Sequence, residues 1–557
     1  MNSVVKKKLL LIVCFVLSAV LLTVIQLPFG VSYCAWFALV PFILASLLSE
    51  KARPVIFASY VVSSIYWLAN VYWLYPITLI GWILLCLCLA LYWPMLVIML
   101  RYCFSRKVPL WFALPILIVG AEALQGWFFK GFAWRYLAHS QFKNLMLIQI
   151  ADVFGAAGIS FIIAMVNGLI AELIIDLKKK QIFRPANFVG IVLTIIAIAV
   201  TLFYGRYRIV QTADFVTPGP KISVVQSNVP VKAGEETVPS EISFIDMLID
   251  SRRSLAAEPN LIIWPETMVE AVLDDGYLKL LSEDDTARLF HNALVRHANE
   301  GVYLLVGSFS ADAKMNDNNE IKLIAKSNAA FLYEPNQITP RQHYSKIHLV
   351  PFGEYIPFEN SLPFLYKFMM ALTPYDYDYT LDPGREYTVF EMKTNEEKYR
   401  FGVMICYEDT LPKVARRFAL SKNGSKQIDW LVNISNDGWF VRQKNDKIVP
   451  STELAQHAAI CVFRAVENRL PVVRSVNTSV SCYIDSLGRI HDDFIVGNLP
   501  KKAFDRSGKQ GWFADQILID KRITIFSRIG RRLDISCAIC FIFAAFVSIY
   551  KSVFSIQ

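Results

Sequence analysis

FGVMICYEDT, residues 401–410, begins as an unbroken apolar run and ends in a thiol followed closely by two carboxylates. Apolar residues in succession, without polar alternation, fit a strand covered on both faces, as in layered α/β sheets. Cys406 closes the run, and Glu408 and Asp409 follow it. A thiol attacks only as thiolate, and neighbouring carboxylates raise its pKa. Either Cys406 is packing, or distant parts of the chain bring it a base and a positive charge.

Outward from this stretch, residues 206–526 alternate short β-rich runs with polar, helix-like segments. Examples are KISVVQSNV, NLIIWPE, VYLLVGSFS, NAAFLYEP, DWLVNISND and PVVRSVNTS. The mixture predicts a layered α/β domain. Two other runs end like the first. LIIWPE stops at Pro265 and leaves Glu266 just beyond the strand, and RQHYSKIHLVPFGEYIPF carries Lys346 and, soon after, Glu354. Functional groups of such sheets gather at the carboxyl ends of strands. A Glu to take the thiol proton, a Lys to offset the carboxylates and hold an oxyanion, and a Cys to form the covalent bond make a working set. Each also has a plainer reading: a packing cysteine, a solvated lysine, a glutamate at a helix start.

Composition separates this segment from its flanks. Of 557 residues, 55% are hydrophobic and 18% charged, and the mean hydropathy is +0.40. A spanning helix needs roughly 20 mostly apolar residues. Such runs occur at 9–27, 32–49, 55–74, 77–100, 109–126, 155–177 and 188–205, and again at 534–550. No small-residue cleavage site follows the first, so it reads as a retained helix. The expected organisation is a seven-helix membrane domain (1–205), an α/β domain (206–526), and a last helix with a short tail (527–557).

Charge sets the expected orientation. With the N-terminus inside, Lys6–Lys8, Lys51 with Arg53, Arg106 with Lys107, and Lys178–Lys180 with Arg184 are all cytoplasmic. The loops at 28–31 and 75–76 have no Lys or Arg and fall outside. The α/β domain then lies on the outer face. Arg528, Arg531 and Arg532 run against this rule, which long translocated domains override. This pattern accounts for the net charge of +9 better than nucleic-acid binding does. The ten cysteines have no framework spacing, and Cys537 and Cys540 lie in an apolar run unsuited to a metal. A Cys461–Cys482 disulfide is left open.

The strings LIIWPET, HYSKIHLVPFGEYIPF, GVMICYED and NISNDGWF, in this order, resemble the carbon–nitrogen hydrolase (nitrilase) superfamily. With the apolar spans they are similar to the apolipoprotein N-acyltransferase family. WRYLAHSQF and IADVFGAAGISFIIAMVNG (within 134–168) resemble its membrane part, and VENRLPVVRSVNTSVSCYIDSLGRI (466–490) its last core segment. The resemblance implies an αββα sandwich on eight membrane helices. It assigns Glu266 as general base, Lys346 to the oxyanion and Cys406 as nucleophile, with Glu354, Tyr407 and Glu408 in support. It further implies ping-pong acyl transfer: Cys406 takes an acyl chain from a phospholipid and passes it to the α-amino group of an apolipoprotein's N-terminal diacylglyceryl-cysteine. The implied location is a bacterial inner membrane, with the catalytic domain facing the periplasm.

No metal or organic cofactor is expected, since HExxH, a paired CxxC site and a P-loop are all missing from the sequence. No GxSxG elbow points to a serine nucleophile. LPFLYKFMMALTPYDYDY (362–379) is expected to be a lid dipping into the membrane interface, or else a core helix with a trailing loop. NDGWFVRQKN (436–445) is a second expected mobile loop, whose Trp439 and Phe440 line an acyl tunnel or pack under the sheet. Two positions depart from the family pattern: VVQSNVPVKAGEETVPSEI lacks its Trp, and the Pro-Trp before the Ser-Gln pair reads Ala133-Trp134. Other readings are a membrane-anchored amidase that passes its acyl group to water, and a non-catalytic scaffold. Against the amidase, eight spans exceed what anchoring requires. Against the scaffold, Glu266, Lys346 and Cys406 are all kept.

Overall fold

The structure is a computed structural model that describes residues 3–49, 51–128, 131–232, 237–318, 320–337, 342–357, 359, 361–370, 379–394, 397–445 and 447–554. The chain divides into two compact units. One holds residues 1–75, 79–211 and 529–557, and the other 76–78 and 212–528.

The first unit is helical. Among the described residues, five helical segments are long and apolar enough to cross a membrane: Lys6–Val24, Ala52–Asn70, Leu79–Ser105, Ala156–Lys178 and Pro185–Asp214. Leu110–Gln125 is a shorter apolar helix, and Arg532–Phe554 is a C-terminal one. The run expected to span 32–49 is interrupted. It forms a 3-10 turn at Ser32–Trp36 and a nine-residue helix at Val40–Leu48. Backbone groups freed at such a break need partners when no water is at hand. Asn167 supplies two of them, accepting from the Leu39 N–H at 2.8 Å and donating to the Ala35 carbonyl at 2.9 Å. Ser18 supplies two more, at the Phe42 N–H (2.8 Å) and the Ala38 carbonyl (2.7 Å).

Among the described residues, the second unit is built on fourteen strands. In chain order they are β1 Val216–Gln226, β2 Leu261–Ile263, β3 Tyr303–Met315, β4 Ile321–Tyr333, β5 Gln342–Ser345, β6 Val389–Lys393, β7 Lys398–Ile405, β8 Trp430–Ser435, β9 Arg442–Lys444, β10 Lys447–Val449, β11 Val472–Val476, β12 Cys482–Ile484, β13 Val496–Gly497 and β14 Gly511–Asp520. One sheet runs β13-β14-β1-β2-β3-β4-β5 and the other β12-β11-β8-β7-β6. The pairs β1–β2, β2–β3, β7–β8 and β8–β11 are parallel. Every residue of β2, β8 and β11 is buried, as expected for parallel strands covered on both faces. The sheets face each other: Ser475 on β11 donates 3.0 Å hydrogen bonds to the carbonyls of Val225 and Ile263 in the other sheet.

Helices cover the outer faces. Ser240–Ser254 and Thr286–Ala298 bury Phe244, Met247, Phe290 and Leu294 in one core with Ile262, Leu304 and Phe331. Phe418, on Pro412–Ala419, lies so close to Gly402 of β7 that a Cβ there would meet its ring at 2.7 Å. Thr452–Asn468, the other helix following the second sheet's strands, is buried along almost all its length. The architecture is the αββα sandwich that the resemblance implies. All ten cysteines are free thiols, so Cys461 and Cys482 are not paired.

Candidate active site

Three segments converge at carboxyl-terminal strand ends. Glu266 follows β2, Lys346 immediately follows β5, and Cys406 immediately follows β7. Gly307 on β3 admits the first segment: a Cβ there would sit 2.3 Å from the Pro265 carbonyl and 2.6 Å from Glu266 Cα. Cys406 itself has a left-handed backbone, φ +51°, at the start of a 3-10 turn Cys406–Thr410. A non-glycine residue in that region costs on the order of 1 kcal/mol, and such strain is often found at nucleophiles.

Glu266 and Lys346 are buried and paired. Lys346 Nζ lies 3.2 Å from Glu266 Oε1 and 2.8 Å from Glu354 Oε1. Glu266 also accepts from Asn328 Nδ2 at 2.6 Å and from the Asn436 N–H at 2.7 Å. Glu354 accepts from Asn328 Nδ2 at 3.0 Å and from the Val350 N–H at 2.7 Å. Burial disfavours the Lys346 ammonium, but the two glutamates overcome it and hold its pKa well above the ordinary lysine value. Burial and the Glu266 carboxylate push the Cys406 thiol well up; Lys346 and the neighbouring Ser435 hydroxyl oppose them. The resting centre is therefore a neutral thiol beside an ammonium–carboxylate pair, and proton transfer from sulfur to Glu266 would convert it to a thiolate facing the ammonium.

Glu408 faces elsewhere. Its carboxylate accepts from Tyr344 Oη at 2.9 and 3.0 Å, from the N–H groups of Ile347 (2.9 Å) and His348 (3.0 Å), and from Ile405 N–H (2.9 Å). It ties the segment carrying Lys346 to the strand carrying Cys406. Burial pushes it up to about 7, against the pull of these donors and of Lys346. Tyr407 is buried beside it, and burial raises its phenol pKa. Trp439 and Phe440 are half-buried on the 3-10 turn Asp437–Phe440, directly after the Asn436 amide that holds Glu266. The stretch expected to be a mobile loop is this turn followed by the β9–β10 ribbon. The expected lid begins as a helix, Pro363–Met370, with Phe364 and Phe368 exposed; residues 371–378 of it lie outside the described residues.

Sequence reasoning missed Asn328, which bridges both glutamates, because an asparagine inside a strand carries no local signal. It also missed a buried ionic cluster behind the nucleophile. His457 Nε2 lies 2.7 Å from Asp409 Oδ1, and its Nδ1 lies 3.4 Å from both Asp437 Oδ1 and Glu453 Oε1. Arg474 bonds Asp409 and lies 4.0 Å from Asp437. Asp437, Glu453 and His457 bring ligand-type atoms within 4.8 Å of one another. Despite burial, Asp409 and Asp437 hold His457 well above its ordinary pKa. With Arg474 and His457 as cations against Asp409 and Asp437, the trio reads as part of an ion-pair cluster.

Residues 18–169 match the apolipoprotein N-acyltransferase N-terminal domain, and residues 246–494 match carbon–nitrogen hydrolase. The apolipoprotein N-acyltransferase of Geobacter metallireducens is 31% identical over 489 residues, covering 85% of each chain. The chain belongs to the apolipoprotein N-acyltransferase family. Apolipoprotein N-acyltransferase 1 of Treponema denticola is 25% identical over 79% of this chain and 76% of its own, and the Haemophilus influenzae enzyme 26% over 76% and 73%. A nitrilase-superfamily amidase of Nesterenkonia AN1 is a weaker likeness, 11% identical with a TM-score of 0.34 over 54% of this chain and 90% of that one. As an apolipoprotein N-acyltransferase homologue, the protein is a membrane acyltransferase of the nitrilase superfamily.

Proposed function

We propose that the protein moves an acyl chain from a phospholipid to the α-amino group of the diacylglyceryl-cysteine that begins an apolipoprotein, through a thioester on Cys406. The observation that carries this reading is the pairing of Glu266 with Lys346 at 3.2 Å, with both among the charges that act on the Cys406 thiol.

Glu266 takes the thiol proton, and Cys406 Sγ attacks the ester carbonyl. Lys346 stabilises the oxyanion, and the departing lipid alkoxide recovers the proton from Glu266. The incoming amine then attacks the thioester, gives a proton to Glu266 and releases the sulfur as thiolate, which takes that proton from Glu266 and restores the thiol. Glu354 keeps Lys346 aimed, and Glu408 fixes the turn that carries the nucleophile. Both substrates are lipids held in a bilayer, so membrane helices raise their effective concentration at the site. The catalytic unit faces the periplasm in this reading, and the lysine-rich loops face the cytoplasm.

The test is mass spectrometry of the purified protein after incubation with phospholipid. An acyl-sized adduct on Cys406, discharged by a diacylglyceryl peptide and only slowly by water, is the expected result. Rapid discharge by water would instead support a membrane amidase. A Cys406→Ser protein that folds and still transfers at the full rate would sink the assignment of the nucleophile.

A further inference from the structure

Ser435 ends β8, which lies parallel to β7 with Ile434 opposite Ile405, so Ser435 and Cys406 are the next residues beyond that register pair at neighbouring strand ends. Ser435 is fully buried, and its hydroxyl donates to Asp437 Oδ1 at 2.6 Å. Asp437 is in turn faced by His457 Nδ1 at 3.4 Å from the helix Thr452–Asn468 and by Arg474 Nη2 at 4.0 Å from β11. Asp409 holds both cations. A lone carboxylate buried here would need the serine proton permanently. One flanked by two cations does not.

We propose that Ser435 is the hydrogen-bond donor to the Cys406 thiolate, and that the Asp437–His457–Arg474–Asp409 cluster positions it by leaving its single hydroxyl proton free to turn. This deepens the acyl-transfer reading and rests on it. In the thiol state the hydroxyl points at Asp437. When Glu266 has taken the sulfur proton, the hydroxyl rotates to Sγ, and Asp437 keeps His457 and Arg474. No proton leaves Ser435 and no bond to it is made. The same donor receives the sulfur again when the amine displaces it, so Ser435 acts in both halves of the reaction. The other charged groups acting on Sγ are Glu266, Lys346 and Asp437, and all are unaltered in the variants that test the idea.

The experiment is alkylation of Cys406 in the full-length protein by iodoacetamide across pH, followed on the Cys406 peptide by mass spectrometry. Ser435→Ala should move the midpoint upward by about one pH unit, slow alkylation about tenfold at pH values below it, and slow acyl-enzyme formation to a similar extent. Ser435→Thr should restore both. Should the added methyl prevent folding at this buried position, His457→Gln serves instead: it should raise the midpoint alone and add nothing on top of Ser435→Ala. A wild-type profile in Ser435→Ala, or additive shifts in the double variant, overturns the proposal. The nucleophile assignment fails separately, if Cys406→Ser transfers at the full rate while the Ser435→Ala shift persists.

Discussion

Glu408 shows how one buried carboxylate can be structural while sitting two residues from a nucleophile. It offers oxygens to a tyrosine hydroxyl and three backbone N–H groups. Removing the side chain leaves those donors without partners, at about 1–3 kcal/mol for each unsatisfied group. Its pH signature has a definite sign. The folded-state value of about 7 lies above the ordinary glutamate value of 4.5, so its favourable contribution is full below about pH 4.5 and is lost as pH rises through 7. The size is about 3 kcal/mol. Glu408→Gln does not titrate. The stability deficit of that variant should therefore be larger at pH 5 than at pH 8, by most of that amount, in detergent melting curves. A gap independent of pH would show that Glu408 is ionised throughout.

Among elements, the helix Leu110–Gln125 shows what membrane packing demands. A Cβ on Gly120 would meet the Cys537 carbonyl at 2.5 Å and Phe541 Cβ at 2.7 Å, both on Arg532–Phe554. Small residues let helix backbones approach where no hydrophobic effect drives them together. Gly120→Val should destabilise this unit by about 3 kcal/mol or more, since backbone cannot move aside as a side chain can. Lower yield of folded protein and a lower melting temperature are the readouts, and wild-type values for both would refute the contact. The helix Pro363–Met370 presents the opposite case, with Phe364 86% and Phe368 57% exposed. If it dips into the membrane interface as a lid, replacing both by serine should slow acylation from vesicle phospholipid about tenfold while a water-soluble short-chain ester is used normally. Equal losses on both donors would point to packing instead.

At the scale of the whole molecule, orientation is the property with most at stake. Four cationic segments fall on one side, the loops at 28–31 and 75–76 opposite them lack Lys and Arg, and only the loop at 127–154 carries Lys130, Arg135 and Lys143; this asymmetry carries the proposal that the catalytic unit is extracytoplasmic. Single cysteines introduced at 178–184 should react with a membrane-impermeant maleimide only after permeabilisation. Cysteines at exposed positions such as Asp317 or Lys422 should react in intact cells. The reverse pattern would place Cys406 on the cytoplasmic side and remove its proposed substrate.

Sequence alone determined the division into apolar flanks and a layered α/β segment, because spanning length and unbroken apolar strands are local patterns that survive without coordinates. It also marked Glu266 and Cys406, each lying just past an apolar strand, and Lys346 at the end of the short polar β5. It took residues 32–49 as one span, although Pro41 marks the start of the helix Val40–Leu48; the side chains that satisfy the backbone at the break, Asn167 and Ser18, are far away in sequence. It gave no sign of Asn328, of the cluster around His457, or of the donors that hold the Glu408 carboxylate. Those identities rest on partners dozens to hundreds of residues distant. A side chain's charge and hydrogen-bonding duty are set by what the fold places around it, and only the tertiary structure decides that.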